Sequence, residues 1–426
     1  MTDYQSPLPF LLHAARRQGD FVPLGQNSFL VCHPNGVRHV LQDNHPNYRR
    51  SPLLAKAGPL LGEGLVTSEG SSWLRQRRLM QPAFHYHRLT NLAQTMVEVL
   101  AARLPYWQDV AREGRPLDVA AEMKQLTMQI VVAALFGFDL GDQTGFVGQA
   151  FHLVVEQLRR RLRGAAGDDG RQAEVGFQAA LAQLDAIVYR MIGERRQKVA
   201  GPGALLTMLL EARDPETDQA MDDRQLRDEV MTLFVSGHET TTDALTWLWY
   251  GLAQHPAVEE SLRAEIDGRL AGRLPTPADL PDLPYLKMVI EEGLRFYPPV
   301  GLFGRSAVND DQINGHFIPA GAQVILSPYV THRHPTFWAN PDHFDPTHFA
   351  AEQVAVRPRF AYFPFGGGPR QCIGNHFALL EMQLVVAMIV GQGYRLRLLP
   401  GPLQEPQPTT TLPSGRGVLM ALTRDR

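Results

Sequence analysis

The stretch Phe365-Gly-Gly-Gly-Pro-Arg-Gln-Cys-Ile-Gly374 carries the most specific local chemistry in the chain. Its glycines and proline predict a tight turn whose backbone N–H groups point at the Cys372 sulfur, and Arg370 adds a nearby positive charge. An apolar stripe from Asn375 to Val390 predicts a helix, so Cys372 also lies just before a helix N-terminus. Both features favour a thiolate at Cys372.

The other cysteine, Cys32, lies far away in a strand-like run. Two such separated cysteines assemble neither a cysteine-rich zinc site nor a cysteine-ligated iron–sulfur cluster. Three roles then stay open for Cys372: an axial ligand to a haem iron, a small buried hydrophobic residue, or a nucleophile paired with a histidine. The flanking glycines argue against simple core packing.

Composition indicates a globular protein with an extensive core, since the 426 residues are 44% hydrophobic and 20% charged. A net charge of −3 gives no general attraction to nucleic acid. No apolar run of about 18 residues occurs and the N-terminus lacks the features of a signal peptide, so we expect no transmembrane anchor. Two separated cysteines fit a reducing compartment, and the expected location is the cytoplasm.

Long amphipathic segments dominate the middle of the chain. The periodicity predicts helices at Leu92–Arg112, Val119–Phe136, Phe146–Leu162, Gln172–Lys198 and Leu226–His255. From about residue 298 to residue 365 the pattern changes to short β-branched runs broken by proline and glycine. Strand-like pieces at Asp20–Val22 and Ser28–Val31 are expected to pair with that later sheet.

These elements predict a mainly α fold with small β-sheets (α+β) in a single domain over residues 1–426. Its parts are a β-containing N-terminal segment of about residues 1–70, a helix-rich body of about 71–297, and a final part of about 298–426. No internal repeat and no low-complexity linker divides the chain.

The run Ser236-Gly-His-Glu-Thr-Thr-Thr242 is unusual inside a long helix, because glycine there costs about 1 kcal/mol relative to alanine. Gly237 and Thr240 share one helix face, which is small at its centre and which a flat object can approach. Thr240 can bond back to the carbonyl of residue 236 and bend the helix, opening a groove beside Glu239. A plain helix–helix contact of small residues is the alternative.

Glu292 and Arg295 are spaced i,i+3 on a predicted helix that ends at Pro298-Pro299. Such a pair is usually solvated, and this is the default interpretation. The helix is otherwise strongly apolar, so a buried ionic anchor is the alternative.

Trp73 and Arg77 are spaced i,i+4, so they project an indole N–H and a guanidinium from one helix face. Both groups are donors that suit carboxylates. For the neighbouring Arg75 and Arg78, a plain basic helix surface is the default interpretation.

In this order along the chain, the four motifs resemble those of the cytochrome P450 family, and the similarity covers nearly the whole chain. The matching positions are Trp73-x-x-x-Arg77, Ser236-Gly237-x-Glu239-Thr240-Thr241, Glu292-x-x-Arg295 and Phe365-x-x-Gly368-x-Arg370-x-Cys372-x-Gly374. The resemblance implies a long central helix over a haem b, with the cysteine-ligand loop beneath it. Cys372 would then be the axial thiolate ligand of the iron.

The resemblance also implies other residues that contact the haem. For its propionates these are Trp73, Arg77 and Arg305, with Arg370 assisting and His332 or Arg333 as weaker candidates. For close packing around the haem they are Gly237, Phe365, Gly368 and Gly374.

Glu239 and Thr240 match the family's acid–alcohol pair, which delivers protons during oxygen activation. This implies a monooxygenase that uses O2 and two externally supplied electrons to insert one oxygen atom into an apolar small molecule, by hydroxylation or epoxidation. The expected electron donor is a ferredoxin or flavodoxin with its reductase, bound at a basic surface that includes Arg75, Arg78 and Arg88. We expect a monomer. A peroxide-driven haem peroxygenase and a non-catalytic haem-binding sensor are the alternatives.

One position departs from the family pattern. The family's ionic network includes an arginine after a Phe-x-Pro motif, whereas this chain has His348 in Phe344-Asp-Pro-Thr-His-Phe349. Histidine has a shorter reach toward Glu292 and loses its charge when neutral, so we expect a network with Arg295 that works but responds to pH.

By resemblance, an apolar and roomy substrate pocket is expected, with walls at residues 53–66, 162–169, 300–303 and 409–412 and along the central helix. The lining residues would be Leu60, Leu61, Val66, Leu233, Val300, Leu302, Phe303 and Leu412. A lipid, terpenoid, steroid or polyketide-like substrate fits such a lining. The basic run from Arg159 to Arg163 would hold an acidic substrate or carrier protein, although a solvated charge run is the stronger interpretation.

Overall fold

The computed structural model describes residues 7–137, 154, 170–197, 204–400 and 417–425. The helices are α1 (Pro7–Gln18), α2 (Pro34–Arg38), α3 (Gly58–Leu61), α4 (Gly70–Met80), α5 (Tyr86–Glu113), α6 (Val119–Phe136), α7 (Gly170–Gln197), α8 (Leu205–Glu211), α9 (Asp223–Gln254), α10 (Pro256–Leu270), α11 (Pro284–Phe296), α12 (Pro328–Thr331), α13 (Ala351–Val356) and α14 (Asn375–Gly391). The strands are β1 (Phe21–Gly25), β2 (Ser28–Val31), β3 (Tyr48–Arg50), β4 (Pro116–Asp118), β5 (Phe303–Ala307), β6 (Asp311–Ile313), β7 (His316–Ile318), β8 (Gln323–Leu326), β9 (Tyr394–Leu398) and β10 (Leu419–Arg424). The predicted architecture, mainly α with small β-sheets, is confirmed.

Helix positions agree closely with the hydrophobic periodicity. α6 has the predicted bounds, whereas α9 begins at Asp223 rather than at Leu226. The Asp222 carboxylate accepts a hydrogen bond from the Gln225 N–H at 2.7 Å and caps the first turn, so α9 starts in a polar stretch that periodicity does not detect. The helix predicted at Phe146–Leu162 lies outside the described residues except at Val154. None of the described helices is both long enough and apolar enough to span a membrane.

The largest sheet joins the two ends of the chain, in the strand order β1-β2-β8-β5-β3. β2 runs parallel to β8, with Ser28 opposite Gln323 and Val31 opposite Leu326. Val31, Val324 and Leu326 are buried in the apolar core of this sheet. The predicted pairing of the N-terminal strand with the later sheet is confirmed. The other strands form a three-stranded sheet, β4-β10-β9, and the hairpin of β6 and β7.

The chain divides into two compact units. The first unit comprises Met1–Ser51, Leu100–Lys124 and Thr240–Arg426, and it contains the sheets. The second unit comprises Pro52–Val99 and Gln125–Glu239, and its described part is helical. The single domain expected over the whole chain stays a prediction.

The pair of Glu292 and Arg295 in α11 is completely buried. The guanidinium Nε and Nη2 atoms donate to the two Glu292 carboxylate oxygens at 2.7 Å each. Arg295 also donates to the carbonyls of His332, Pro341 and His343 at 2.9, 2.8 and 2.7 Å. All five guanidinium N–H groups therefore have acceptors, and the pair is the buried ionic anchor rather than a solvated pair.

His348 is the third member of this network. Its Nδ1 lies 3.3 Å from both Glu292 carboxylate oxygens, and its Nε2 lies 2.6 Å from the Ala339 carbonyl oxygen. Both ring nitrogens therefore face oxygen atoms, and the ring bridges the Glu292 carboxylate and the Ala339 carbonyl. Arg357 brings a further cation close by, since its guanidinium stacks on Trp338 at 3.7 Å and donates to the His348 carbonyl.

We predict that His348→Ala lowers thermal stability and haem retention at a fixed pH, because it removes the ring that contacts the buried Glu292 carboxylate and the Ala339 carbonyl. A lost hydrogen bond to a buried charged group corresponds to about 1–3 kcal/mol. His13→Ala, on an exposed position of α1, is the control and should keep the wild-type values. Equal melting temperatures and equal haem absorbance for wild type and His348→Ala would contradict the prediction. The pH response expected of this network stays a prediction.

Candidate active site

The loop that precedes α14 holds Cys372 on backbone hydrogen bonds. The Cys372 N–H donates to the Phe365 carbonyl at 2.9 Å, and the Gly366 N–H donates to the Phe363 carbonyl at 3.0 Å. Cys372 is exposed, although Phe363 before it and Phe377 after it are buried. The loop thus leaves Cys372 exposed, three residues before α14 and its positive dipole end.

Close packing requires glycine at position 368. Gly368 has a φ of 66°, in the left-handed region, and a Cβ there would lie 1.7 Å from the Leu41 carbonyl oxygen. Leu41 belongs to a π-helical turn, His39–Asp43, in which the Asn44 N–H donates to the His39 carbonyl at 2.8 Å. The obstacle is backbone, which cannot rotate away as a side chain can, so no residue with a Cβ fits.

The two cysteines differ in their surroundings. Cys32, which directly follows β2, is buried, and burial raises the pKa of its thiol to about 12. Its Sγ lies 3.4 Å from the Asp20 carbonyl oxygen. Cys32 therefore stays a neutral thiol and packs as a core residue, which leaves the exposed Cys372 as the cysteine that can present a thiolate.

The polar motif of α9 interrupts a buried helix. Most residues of α9 are buried, whereas Ser236 is exposed and Gly237, Glu239 and Thr240 are partly exposed. A Cβ on Gly237 would lie 3.3 Å from a methyl group of Val131, so a close helix contact also limits the size of this residue. The helix–helix contact is thus present, and a face that a flat object can approach stays a prediction. α9 is one continuous helix from Asp223 to Gln254. The bend expected at Thr240 stays a prediction.

The residues predicted to bind the propionates lie on separate elements. Trp73 is buried and Arg77 is partly buried on α4. Arg305 lies in β5, where its Nη1 donates to the Gly304 carbonyl at 3.0 Å and its guanidinium lies over the Phe303 ring. The role of these residues, and of Arg370, toward a propionate stays a prediction.

His332 and Arg333 serve the protein interior instead. The His332 Nε2 accepts from the Phe363 N–H at 3.0 Å, and burial keeps the pKa of this imidazole well below its usual value. Arg333 is buried, donates to the Phe296 carbonyl at 2.5 Å, and stacks on the Tyr329 ring at 4.0 Å. These contacts argue against a propionate role for either residue.

Arg75 and Arg78 differ from the expected basic docking surface. The Arg75 Nε lies 3.3 Å from the Asp214 carboxylate, and Arg78 contacts both Asp214, at 3.5 Å, and Glu216. Their charges are therefore offset within the chain. Arg88 is exposed, as expected for a surface cation.

The predicted pocket residues fall into two groups. Those in the second unit are mostly buried: Leu60, Leu61 and Leu233, with Val66 partly exposed. Those in the first unit are partly exposed: Val300, Leu302 and Phe303. Leu302 packs against the apolar cluster of α1, and Phe303 packs against the core of the large sheet. The other expected pocket positions lie outside the described residues: Leu412, the loop at 162–169 and the basic run from Arg159 to Arg163.

Two structural features near the candidate site residues escaped the sequence reasoning. One is the buried charged run Arg227-Asp228-Glu229 in α9, and its signal was three consecutive charges at the start of an apolar helix. The other is Arg357, which supports His348 from an unremarkable loop position that carries no local signal.

These features fit a haem-thiolate site. An exposed cysteine before a helix would suit an anionic sulfur ligand, and the glycine-rich loop allows close backbone packing beside it. A partly exposed acid and alcohol, in a helix that is mostly buried, would suit the expected proton delivery.

We predict that Gly368→Ala lowers the stability of the protein and its haem content. An alanine in the left-handed region costs about 1–2 kcal/mol, and the overlap with the Leu41 carbonyl adds to this by displacing the cysteine loop. Gly315→Ala is the matched control, because Gly315 has a φ of 86° and, its chain neighbours aside, no atom of the described residues lies within 4 Å of its Cβ position. Melting curves and the haem absorbance per protein check both variants. Equal losses in the two variants would show that the contact with Leu41 does not matter.

A family model described as Cytochrome P450 matches residues 20–421 of this chain. Cyclooctatin synthase of Streptomyces melanosporofaciens is 38% identical over 421 residues, which cover 96% of this chain and 90% of that protein. Cyclooctat-9-en-7-ol 5-monooxygenase of the same species is 35% identical over 410 residues, which cover 94% of this chain and 87% of that protein.

Solved structures agree with the sequence relatives. The crystal structure of the cytochrome P450DA heme domain matches with a TM-score of 0.91 and 27% identity, covering 99% of this chain and 93% of that one. The sequence comparison and the fold comparison therefore indicate the same family over nearly the whole chain. The chain belongs to the cytochrome P450 family and is a haem-thiolate monooxygenase that holds haem b.

Proposed function

We propose that this P450 inserts one oxygen atom of O2 into an apolar, terpenoid-like cyclic molecule, and that Cys372 is the residue that would hold the haem iron. The observation that carries the proposal is the exposed Cys372 sulfur, held before α14 by a glycine-rich loop. The haem, when bound, supplies the oxidising chemistry. The protein residues hold the haem, place the substrate and deliver protons.

Two relatives support the substrate class. One is named for cyclooctat-9-en-7-ol, an unsaturated alcohol that it oxygenates at position 5, and the other is named cyclooctatin synthase. Leu60, Leu61 and Val66, which we place at the substrate, bring only hydrocarbon side chains. A largely hydrocarbon molecule with an alcohol group matches both observations.

Glu239 and Thr240 are the residues that we propose to move protons. They are adjacent on α9, and both side chains are partly exposed within a helix that is otherwise mostly buried. A threonine hydroxyl both accepts and donates a proton, and a carboxylate exchanges protons with water, so the pair can relay protons from solvent.

An external electron donor completes the proposal. A ferredoxin or flavodoxin with its reductase would dock near the cysteine loop, where the exposed Arg359 borders a concavity that is also lined by Phe365, Gly366 and Gly367. A cation beside this loop suits an acidic donor. Arg359 therefore takes the docking role expected of Arg75 and Arg78, whose charges are balanced by acidic residues of the chain. The monomeric state and the cytoplasmic location remain predictions.

We predict that Cys372→Ser abolishes the carbon monoxide difference spectrum of thiolate-ligated haem, whereas Cys32→Ser keeps it. Spectral titration and NADPH-driven turnover with surrogate redox partners should favour cyclic terpenoid alcohols over steroids and fatty acids. A thiolate spectrum in Cys372→Ser would contradict the ligand assignment. A preference for fatty acids would contradict the substrate class while leaving the ligand assignment intact.

We predict that Thr240→Ala keeps consuming NADPH but yields less product, by about tenfold or more, with a matching rise in hydrogen peroxide. The reason is that electrons still arrive while proton delivery fails. Thr246→Val is the control on the same helix, because its hydroxyl only bonds back to the Thr242 carbonyl, at 2.7 Å. Turnover with added peroxide but none with O2 and a redox system would favour the peroxygenase alternative, and a lack of any turnover would favour the sensor.

A further inference from the structure

Three consecutive charged residues of α9, Arg227-Asp228-Glu229, are buried in the second unit. The residues that follow, from Val230 to Phe234, are buried too, and most of them are apolar. Charged groups are unfavourable in such surroundings unless specific contacts compensate for the lost water. Their burial therefore calls for a structural reason.

Arg227 connects α9 to two other elements. Its Nη1 donates to the Leu60 carbonyl and to the Asp228 carboxylate, both at 2.9 Å. Its Nε donates to the Asp185 carboxylate of α7 at 2.7 Å. The guanidinium is thus fixed between two carboxylates and holds a backbone carbonyl of α3.

The two acids hold the backbone that follows α3. The Glu63 N–H donates to the Asp228 carboxylate at 3.0 Å, and the Leu65 N–H donates to the Glu229 carboxylate at 2.9 Å. Three consecutive helix residues thus bind the backbone of one short segment, residues 58–66. The groups that they bind are the Leu60 carbonyl, the Glu63 N–H and the Leu65 N–H. Arg227, Asp228 and Glu229 together are called the helix clamp below.

Two glycines let this segment lie directly on the helix. Gly62 has a φ of 54°, and a Cβ there would lie 2.1 Å from the Asp228 carboxylate. A Cβ on Gly64 would lie 2.2 Å from the Thr232 hydroxyl and 2.7 Å from the Asp228 carbonyl oxygen. Side chains at either position would lift the segment off α9, so glycines and clamp act together.

We propose that the helix clamp determines which substrates fit, by fixing the positions of Leu60, Leu61 and Val66. This rests on the proposed function, in which these three residues line the substrate pocket. The clamp residues act through the segment that they hold and are therefore positioning residues. Their contacts are to backbone groups, so the same clamp can hold segments that carry other side chains.

Glu229 makes the clamp sensitive to pH. Burial, with the charge of Asp228 next to it, raises the pKa of its carboxyl from 4.5 to about 8, against the opposing hydrogen bond from Leu65. One oxygen of this carboxyl has no hydrogen-bond partner among the described residues. Among the described residues, the clamp and the elements that it contacts also carry the charged groups Arg227 on α9, Asp185 on α7 and Glu63 on the segment.

The sign of the pH effect follows from this direction. The folded protein binds a proton at Glu229 that the unfolded chain releases between pH 4.5 and about 8, so the stability of this region falls as pH rises through that window. Above about pH 8 the ionised carboxylate beside Asp228 favours an open segment that admits water.

Hydrogen exchange of the holoenzyme tests the clamp directly. After correction for intrinsic exchange rates, the protection of the Glu63 and Leu65 amides in wild type should fall by about tenfold from pH 7 to pH 9, one unit above the pKa of Glu229. Glu229→Gln keeps an acceptor for Leu65 without a charge and should stay protected at both values. Glu211→Gln, on an exposed position of α8, is the control and should behave as wild type. A wild-type profile in Glu229→Gln would overturn the proposal.

Ligand binding tests the effect on selectivity. 4-Phenylimidazole and the larger clotrimazole bind through the haem iron and need no knowledge of the natural substrate, so this arm is independent of the proposed substrate class. Glu229→Ala should change the ratio of their two dissociation constants several-fold, and Glu229→Gln should restore the wild-type ratio at pH 7. An equal weakening of both ligands, or an unchanged ratio, would overturn the proposal and leave the clamp a purely structural feature.

Discussion

The buried ion pair of Glu292 and Arg295 is the interaction on which the cysteine loop ultimately depends. Arg295 donates to the carbonyl of His332, and the His332 ring accepts a hydrogen bond from the Phe363 N–H. The carbonyl of Phe363 in turn accepts from the Gly366 N–H, at the start of the loop. A buried pair of this kind is strongly unfavourable if any donor is left unmatched, and here every guanidinium N–H has an acceptor. The position of the Cys372 loop is therefore linked to a charge pair that lies several contacts away from it.

Much of the fold could be predicted from the sequence, because its signals are local. The apolar period gave α6 its observed bounds, and strand-like runs at Ser28–Val31 and after residue 320 were enough to anticipate a sheet that joins both ends of the chain. The glycine-rich stretch before α14 identified the cysteine for the same reason. The chemistry that it serves depends on residues adjacent in sequence, which a motif can show.

What the sequence could not show are contacts between distant residues. Arg75 and Arg78 have the spacing of a basic surface, but Asp214 and Glu216 offset their charges from far along the chain. The motif around His348 indicates a missing arginine, yet only the fold brings the Ala339 carbonyl to its second nitrogen. α9 makes the same point, because its buried charges have meaning only once residues 58–66 are seen to lie against them.

The contact of Gly368 with the Leu41 carbonyl has a consequence for the evolution and engineering of this protein. Leu41 lies in a turn that contains one residue more per hydrogen-bonded ring than an α-helix, so the location of its carbonyl depends on the number of residues in that turn. Side chains at His39–Asp43 can vary while this number stays fixed. A one-residue insertion or deletion would instead move the Leu41 carbonyl, against which the cysteine loop packs at Gly368. Chimeras between relatives should therefore be joined outside this turn, keeping it and the loop from the same parent.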